Sequence, residues 1–95
     1  MKINVRYFTT LHELAGTRDD GLELREGSRL AELIETVSVK YGVTAFAYLH
    51  VTESGKIDPS IKFLVNGVAA QNLRGLETEL KEGDNVAIIP PIGGG

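Results

Sequence analysis

In residues 2–8 apolar and polar positions alternate, with Ile3, Val5 and Tyr7 on one side and Asn4 and Arg6 on the other. A period of two is that of a strand with one buried face. Gly21-Leu22-Glu23-Leu24-Arg25 repeats it after a predicted turn at Arg18-Asp19-Asp20-Gly21. The two strands are close enough in sequence to pair as a hairpin with a wide connection. Within that connection, Leu11, Leu14 and Ala15 fall at helical spacing and Gly16 closes them, which predicts a single helical turn or a short loop at the end of the sheet. The period then changes. Leu30, Leu33, Ile34, Val37 and Tyr41 follow the i, i+3, i+4, i+7 rule, with Ser28 as the N-cap and Gly42 placed to end the helix in a left-handed conformation. Arg29, Glu32, Glu35, Thr36 and Lys40 lie off that stripe, so this helix must pack one face on a sheet. The stripe reads as core and not as a binding surface.

Residues 43–60 are the least regular part of the chain. They hold Ala45-Phe46-Ala47-Tyr48-Leu49, a turn at Glu53-Ser54-Gly55-Lys56 and a breaker at Asp58-Pro59, and no element is assigned there. Ile61-Lys62-Phe63-Leu64-Val65 is a strongly apolar strand, Asn66-Gly67 is a hairpin turn signal, and Val68-Ala69-Ala70 can pair back. Leu73, Leu76 and Leu80 are read as pinning a loop to the core, Lys81-Glu82-Gly83-Asp84 as a turn, and Asn85-Val86-Ala87-Ile88-Ile89 as a closing strand buried on both sides. One helix cannot cover both faces of a sheet, so the class is α+β: a mixed, mainly antiparallel sheet of four to five strands around one main helix. Because the helix acts as a crossover, at least one strand pair should be parallel. The closing strand is expected beside the first, in the sheet centre.

The chain runs on through Pro90-Pro91-Ile92 into Gly93-Gly94-Gly95. Prolines stiffen the base of such a tail, and glycines leave it thin enough to enter a tunnel that any Cβ would block. The expected organisation is one domain over residues 1–91 and a flexible glycine tail over residues 92–95. On its own, a glycine run also suits a frayed terminus or a linker.

Composition narrows the chemistry. Ninety-five residues make one small domain, and 42% apolar with 24% charged residues is ordinary globular composition. Ten Lys and Arg stand against thirteen Asp and Glu, for a net charge of −3. That disfavours nucleic acid or an anionic membrane as main partner and suits a partner with a basic surface. The absence of cysteine excludes a disulfide framework, a thiolate metal site and a cysteine nucleophile, and fits a cytoplasmic protein. His12 and His50 are far apart with no second ligand at metal-site spacing, so both read as surface or loop residues and no metal site is expected. No apolar run is long enough to span a bilayer, and no signal-peptide pattern opens the chain. The chain alone has little with which to perform catalysis.

Several motifs coincide in order and spacing with one known group. Val5-Arg6-Tyr7-Phe8 followed by Leu11-His12-Glu13-Leu14-Ala15-Gly16 is similar to its first strand and following turn. Phe63-Leu64-Val65-Asn66-Gly67, then Gly75-Leu76-Glu77-Thr78-Glu79-Leu80, then Gly83-Asp84-Asn85-Val86-Ala87-Ile88-Ile89-Pro90-Pro91, follows its second half. The chain thus resembles, over nearly its whole length, the MoaD/ThiS group of ubiquitin-like sulfur carriers, which have the β-grasp fold. It departs from them in a third glycine, Gly93, where relatives often carry another small residue. Residues 43–60 are also longer than in the shortest members, and resemble the longer molybdopterin synthase small subunits, the archaeal small modifiers and the cysteine-synthesis carrier.

The resemblance implies a working C-terminus. An E1-like enzyme would transfer AMP from ATP to Gly95, and a persulfide sulfur would displace the AMP to leave a thiocarboxylate, a softer and less hydrated nucleophile than a carboxylate. Gly94 and Gly95 would be the reactive residues, with Ile92 and Gly93 threading the partner's tunnel. The chain would bind no cofactor itself, ATP belonging to the activating partner. Apolar residues beside the tail base are candidates for docking: Tyr7, Phe8, Phe63, Ile89 and Ile92. Tyr7, Phe63 and Ile89 serve equally well as core, and Phe8 and Ile92 are the better surface contacts. The expected role is a sulfur carrier for molybdopterin synthesis, acting with the synthase large subunit or another sulfur acceptor. A ubiquitin-like modifier joined to lysines, a carrier for tRNA thiolation, thiamine or cysteine synthesis, and an inert β-grasp interaction module are the alternatives.

Overall fold

The computed structural model describes residues 1–8, 10–41 and 61–90. The predicted cap at Gly42, the irregular residues 43–60 and the tail at residues 92–95 lie outside the described residues. The elements in chain order are β1 (Lys2–Tyr7), α1 (Thr10–Ala15), β2 (Asp19–Glu23), α2 (Leu30–Tyr41), β3 (Lys62–Val65), β4 (Val68–Ala69) and β5 (Asn85–Ile89). Two 3-10 turns, Ala70–Asn72 and Gly75–Glu77, lie between β4 and β5.

The strands form one sheet in the order β2-β1-β5-β3-β4. β1 pairs antiparallel with β2, β3 antiparallel with β4 and β5, and β1 parallel with β5. This is the ubiquitin-like β-grasp arrangement, α+β with a mixed sheet and one main helix. The expected central place of the closing strand and its parallel pairing with β1 are both seen.

The core follows the two periodicities. Leu30, Leu33, Ile34 and Val37 of α2 are buried with Ile3, Val5 and Tyr7 of β1, Leu22 of β2, Phe63 and Val65 of β3, and Val86 and Ile88 of β5. Each such side chain contributes roughly 1.5–3 kcal/mol of burial, so the α2 stripe holds the helix on the sheet. α2 begins one residue later than a Ser28 cap predicts. The Arg29 N–H donates to the Glu32 carboxylate (2.9 Å) and the Leu30 N–H to the Thr78 carbonyl (2.9 Å). These bonds satisfy N–H groups that a helix start leaves open. Ser28 instead offers its carbonyl to the Leu80 N–H (3.0 Å), which ties the helix start to the segment before β5.

Three sequence expectations are corrected. Asp19 and Asp20 lie in β2, opposite Arg6 and Val5, and not in a turn. Carboxylates usually punctuate strands, but here each has a cation within reach: Arg6 Nε donates to Asp19 (2.9 Å) and Lys40 Nζ to Asp20 (2.9 Å). Leu73 does not pin its loop: it is 44% exposed, whereas Leu80 is buried and Leu76 packs partly on the core. Finally, β5 is buried on one face only. Val86 and Ile88 are in the core, while Ala87 and Ile89 are half-buried on the opposite face. No helix among the described residues is long and apolar enough to cross a membrane.

Candidate functional site

The site is built on the C-terminal end of β5, where the chain leaves the sheet. Tyr7 of β1 stands opposite Ile88, and Lys62 of β3 stands opposite Ile89. The Phe8 N–H extends the β1 side of the ladder to the Ile88 carbonyl (3.3 Å). Pro90 follows; it has no N–H to donate, so the pairing ends there, although the ring itself is buried. The last strand step before Pro90 is therefore held from both sides.

Strand alternation sorts the neighbours of this step into two faces. Tyr7, Phe63 and Ile88 turn into the core beneath α2 and are nearly inaccessible. The opposite face carries one cross-strand row of Arg6, Ala87, Leu64 and Ala69, all in register. The next row toward the tail contains Phe8, Ile89 and Lys62. Leu64, Ala69, Ala87 and Ile89 are half-buried, and Phe8 is 38% exposed. Together they make an apolar surface with cations at two of its corners. Arg6 is paired with Asp19 of the edge strand. Lys62 is exposed and has no ion-pair partner among the described residues.

Behind this face a polar cluster fixes the end of β1. The Asp20 carboxylate accepts hydrogen bonds from Tyr41 Oη (2.5 Å), Tyr7 Oη (3.1 Å) and Lys40 Nζ (2.9 and 3.0 Å). The Tyr7 and Tyr41 rings meet edge to face with centroids 5.7 Å apart. Burial pushes the Asp20 carboxyl up, but donation from Tyr41, Lys40 and Tyr7 outweighs burial and leaves it below the ordinary carboxylate range. Burial and the adjacent carboxylate both push the Tyr7 phenol up, so it stays protonated. The cluster joins β1, β2 and the last turn of α2, and Tyr7 is the residue before Phe8. It is a brace for the site and not reactive chemistry. Among the described residues no group of three or more His, Cys, Asp or Glu side chains is placed to hold a metal ion.

Of the residues singled out from sequence, Phe8 and Ile89 are brought side by side on the open face. Tyr7 and Phe63, considered with them, belong to the core. Ile92, Gly93, Gly94 and Gly95 lie outside the described residues. Leu64, Ala87 and Lys62 were not singled out for this surface. Their signal was present: they occupy the polar-phase positions of strands whose other phase is Phe63-Val65 and Val86-Ile88.

A fixed β-grasp scaffold with a central strand leading directly to a glycine-rich end has clear relatives. The ThiS family model matches residues 5–95. The chain belongs to this family. Over its full length, and that of the relative, it is 30% identical to the molybdopterin synthase sulfur carrier subunit of Chlamydomonas reinhardtii. It is 26% identical to small archaeal modifier protein 3 of Haloferax volcanii, again over the whole of both chains. The solution structure of small archaeal modifier protein 1 from Methanosarcina acetivorans superimposes with a TM-score of 0.80 at 30% identity, covering 99% of this chain and 96% of the other. ThiS-family membership places the chain in the family of ubiquitin-like sulfur carriers and modifiers to which these relatives belong.

Proposed function

We propose that this ThiS-family chain is a sulfur carrier whose working group is the carboxylate of Gly95, and that it delivers sulfur in molybdopterin synthesis. The observation that carries the reading is the placement of β5. It lies in the sheet centre, bonded to β1 on one side and β3 on the other, and leads through Pro90 to the Gly93-Gly94-Gly95 end. A domain built in this way is a rigid handle for a thread. The full-length similarity to a molybdopterin synthase sulfur carrier subunit supports the pathway.

The chemistry divides between the chain and its partner. A Gly95 carboxylate oxygen attacks the α-phosphorus of ATP on an E1-like enzyme, and pyrophosphate leaves. A persulfide sulfur then attacks the acyl carbon, AMP leaves, and a second thiol cleaves the resulting acyl disulfide to free the thiocarboxylate. Gly94 and Gly93 supply a backbone without side chains for the approach, and Ile92 follows them into the tunnel. Phe8 and Ile89 seat the domain on the partner. The chain itself performs no catalysis and holds no cofactor; the acceptor is the synthase large subunit.

Intact mass tests this reading. Incubation with an E1-like enzyme, ATP and a sulfur donor should exchange one oxygen of the chain for sulfur, only when ATP is present. Deleting Gly95 should abolish both this gain and adenylation. Adenylation that persists in the deletion would sink the proposal.

A second reading has its own support in the similarity to archaeal modifier proteins. In it, a lysine amine attacks the Gly95 acyl-adenylate, AMP leaves and an isopeptide bond forms. Adducts that survive reductant and vanish on removing Gly94 and Gly95 distinguish it from sulfur transfer.

A further inference from the structure

The open sheet face carries information about the charge of its partner that the net charge of the chain conceals. A net −3 points toward a basic partner, but the described strand registers put mostly apolar and cationic residues on the face beside the tail. Among the described residues, the carboxylate in register with the tail-proximal rows, Phe8-Ile89-Lys62 and Arg6-Ala87-Leu64-Ala69, is Asp19, which is bound to Arg6. Glu82 and Asp84 lie in the turn that precedes β5, at its far end from the tail. There Glu82 accepts from the Lys2 N–H, and Asp84 accepts from the Asn66 side chain and the Lys81 N–H. Along β5 the surface therefore changes from mixed charge at the start, where Lys81 stands beside Glu82 and Asp84, to apolar with Lys62 at the exit.

We propose that the E1-like activating enzyme meets this face with an apolar surface bordered by carboxylates, and that Lys62 is the residue that reads them. This rests on the activation reading above and adds the chemistry of the partner to it. Lys62 stands in register with Ile89, the last strand residue before Pro90, so a carboxylate facing it fixes the domain next to the tail entrance. Desolvating Phe8, Ile89 and Leu64 supplies the contact area. A cation at their edge supplies orientation, since complementary rim charges act on encounter rate and register more than on bulk affinity. Arg6 shares its charge with Asp19 and contributes less. A partner with a basic rim would meet Lys62 as like charge beside a dehydrating surface, which is unfavourable.

The test measures ATP–pyrophosphate exchange by an E1-like enzyme that activates the wild-type chain, as a function of chain concentration and NaCl. Lys62→Glu should raise the half-saturating concentration about three- to tenfold at low salt, the scale of one or two rim ion pairs lost or reversed. The gap from wild type should narrow as salt screens the charges. Lys81→Glu makes the same change in net charge at the far end of β5 and should behave as wild type. Equal effects of the two reversals, or tighter binding by Lys62→Glu, would overturn the acidic-rim inference. Phe8→Ala separates this from the underlying reading. If it weakens exchange while Lys62→Glu does not, the face docks but its rim charge is not read. If Phe8→Ala, confirmed folded by its unfolding curve, has no effect either, docking on this face is itself wrong.

Discussion

Asp20 shows how one carboxylate can brace a site without entering its chemistry. It receives two phenols and an ammonium from two other elements, Tyr7 of β1 and Lys40 and Tyr41 at the end of α2. Asp20→Ala removes the common acceptor of Tyr7 and Tyr41 and should cost about 1–3 kcal/mol of unfolding free energy, the penalty for buried donors that lose a partner. Because the folded chain holds this carboxyl below its ordinary range, the folded state binds the proton less tightly than the unfolded chain. The stability from this group is fully present above the unfolded value near about pH 4 and is lost as pH falls through the lowered folded value. Urea unfolding measured at successively lower pH should show this acid loss in the wild type. In Asp20→Asn, which keeps an acceptor but does not titrate there, the loss should be smaller. An identical acid limb in the two proteins would place it on other carboxylates.

The elements differ in how openly the sequence declares them. The Asn66-Gly67 turn is legible at once, because few other dipeptides accept its backbone: φ is 51° at Asn66 and 84° at Gly67. No atom lies within 4 Å of a Cβ added at Gly67, so Gly67→Ala tests conformation alone and should cost about 1–2 kcal/mol by denaturant titration. Leu33→Ala, which empties a position in the middle of the α2 stripe, should cost about 2–5 kcal/mol. The helix was readable from its period and the hairpin from its turn, while the closing strand's place was legible but its single buried face was not. Asp19-Asp20 was not, because the partners that make a strand tolerable there, Arg6 and Lys40, are distant in sequence and period counting ignores them. Leu73 was misread for the converse reason, as hydropathy alone does not say whether a loop leucine meets the core. The apolar face at Phe8 and Ile89 was only half legible. Its cationic corner emerges only when the register sets Lys62 beside Ile89.

At the scale of the molecule, the proposed reading separates fold from activity. Every residue of the described core lies before Pro90, so a chain ended at residue 91 should unfold within about 0.5 kcal/mol of the full chain, as changes outside a packed core usually do. The same truncation should be wholly inactive as a substrate for adenylation. A large loss of stability would instead place part of residues 92–95 in the folded unit. Parallel pairing of β1 with β5 has a mechanical consequence. A partner that draws the tail inward applies tension along β5, and the strand is flanked on both sides by ladders that run along the direction of pull. Such a load strains all of those hydrogen bonds together in shear, whereas a hairpin pulled from its open end peels one bond at a time. A force applied between the two termini should therefore meet high resistance followed by abrupt rupture, so that the thread can be tugged without unravelling the handle that holds it.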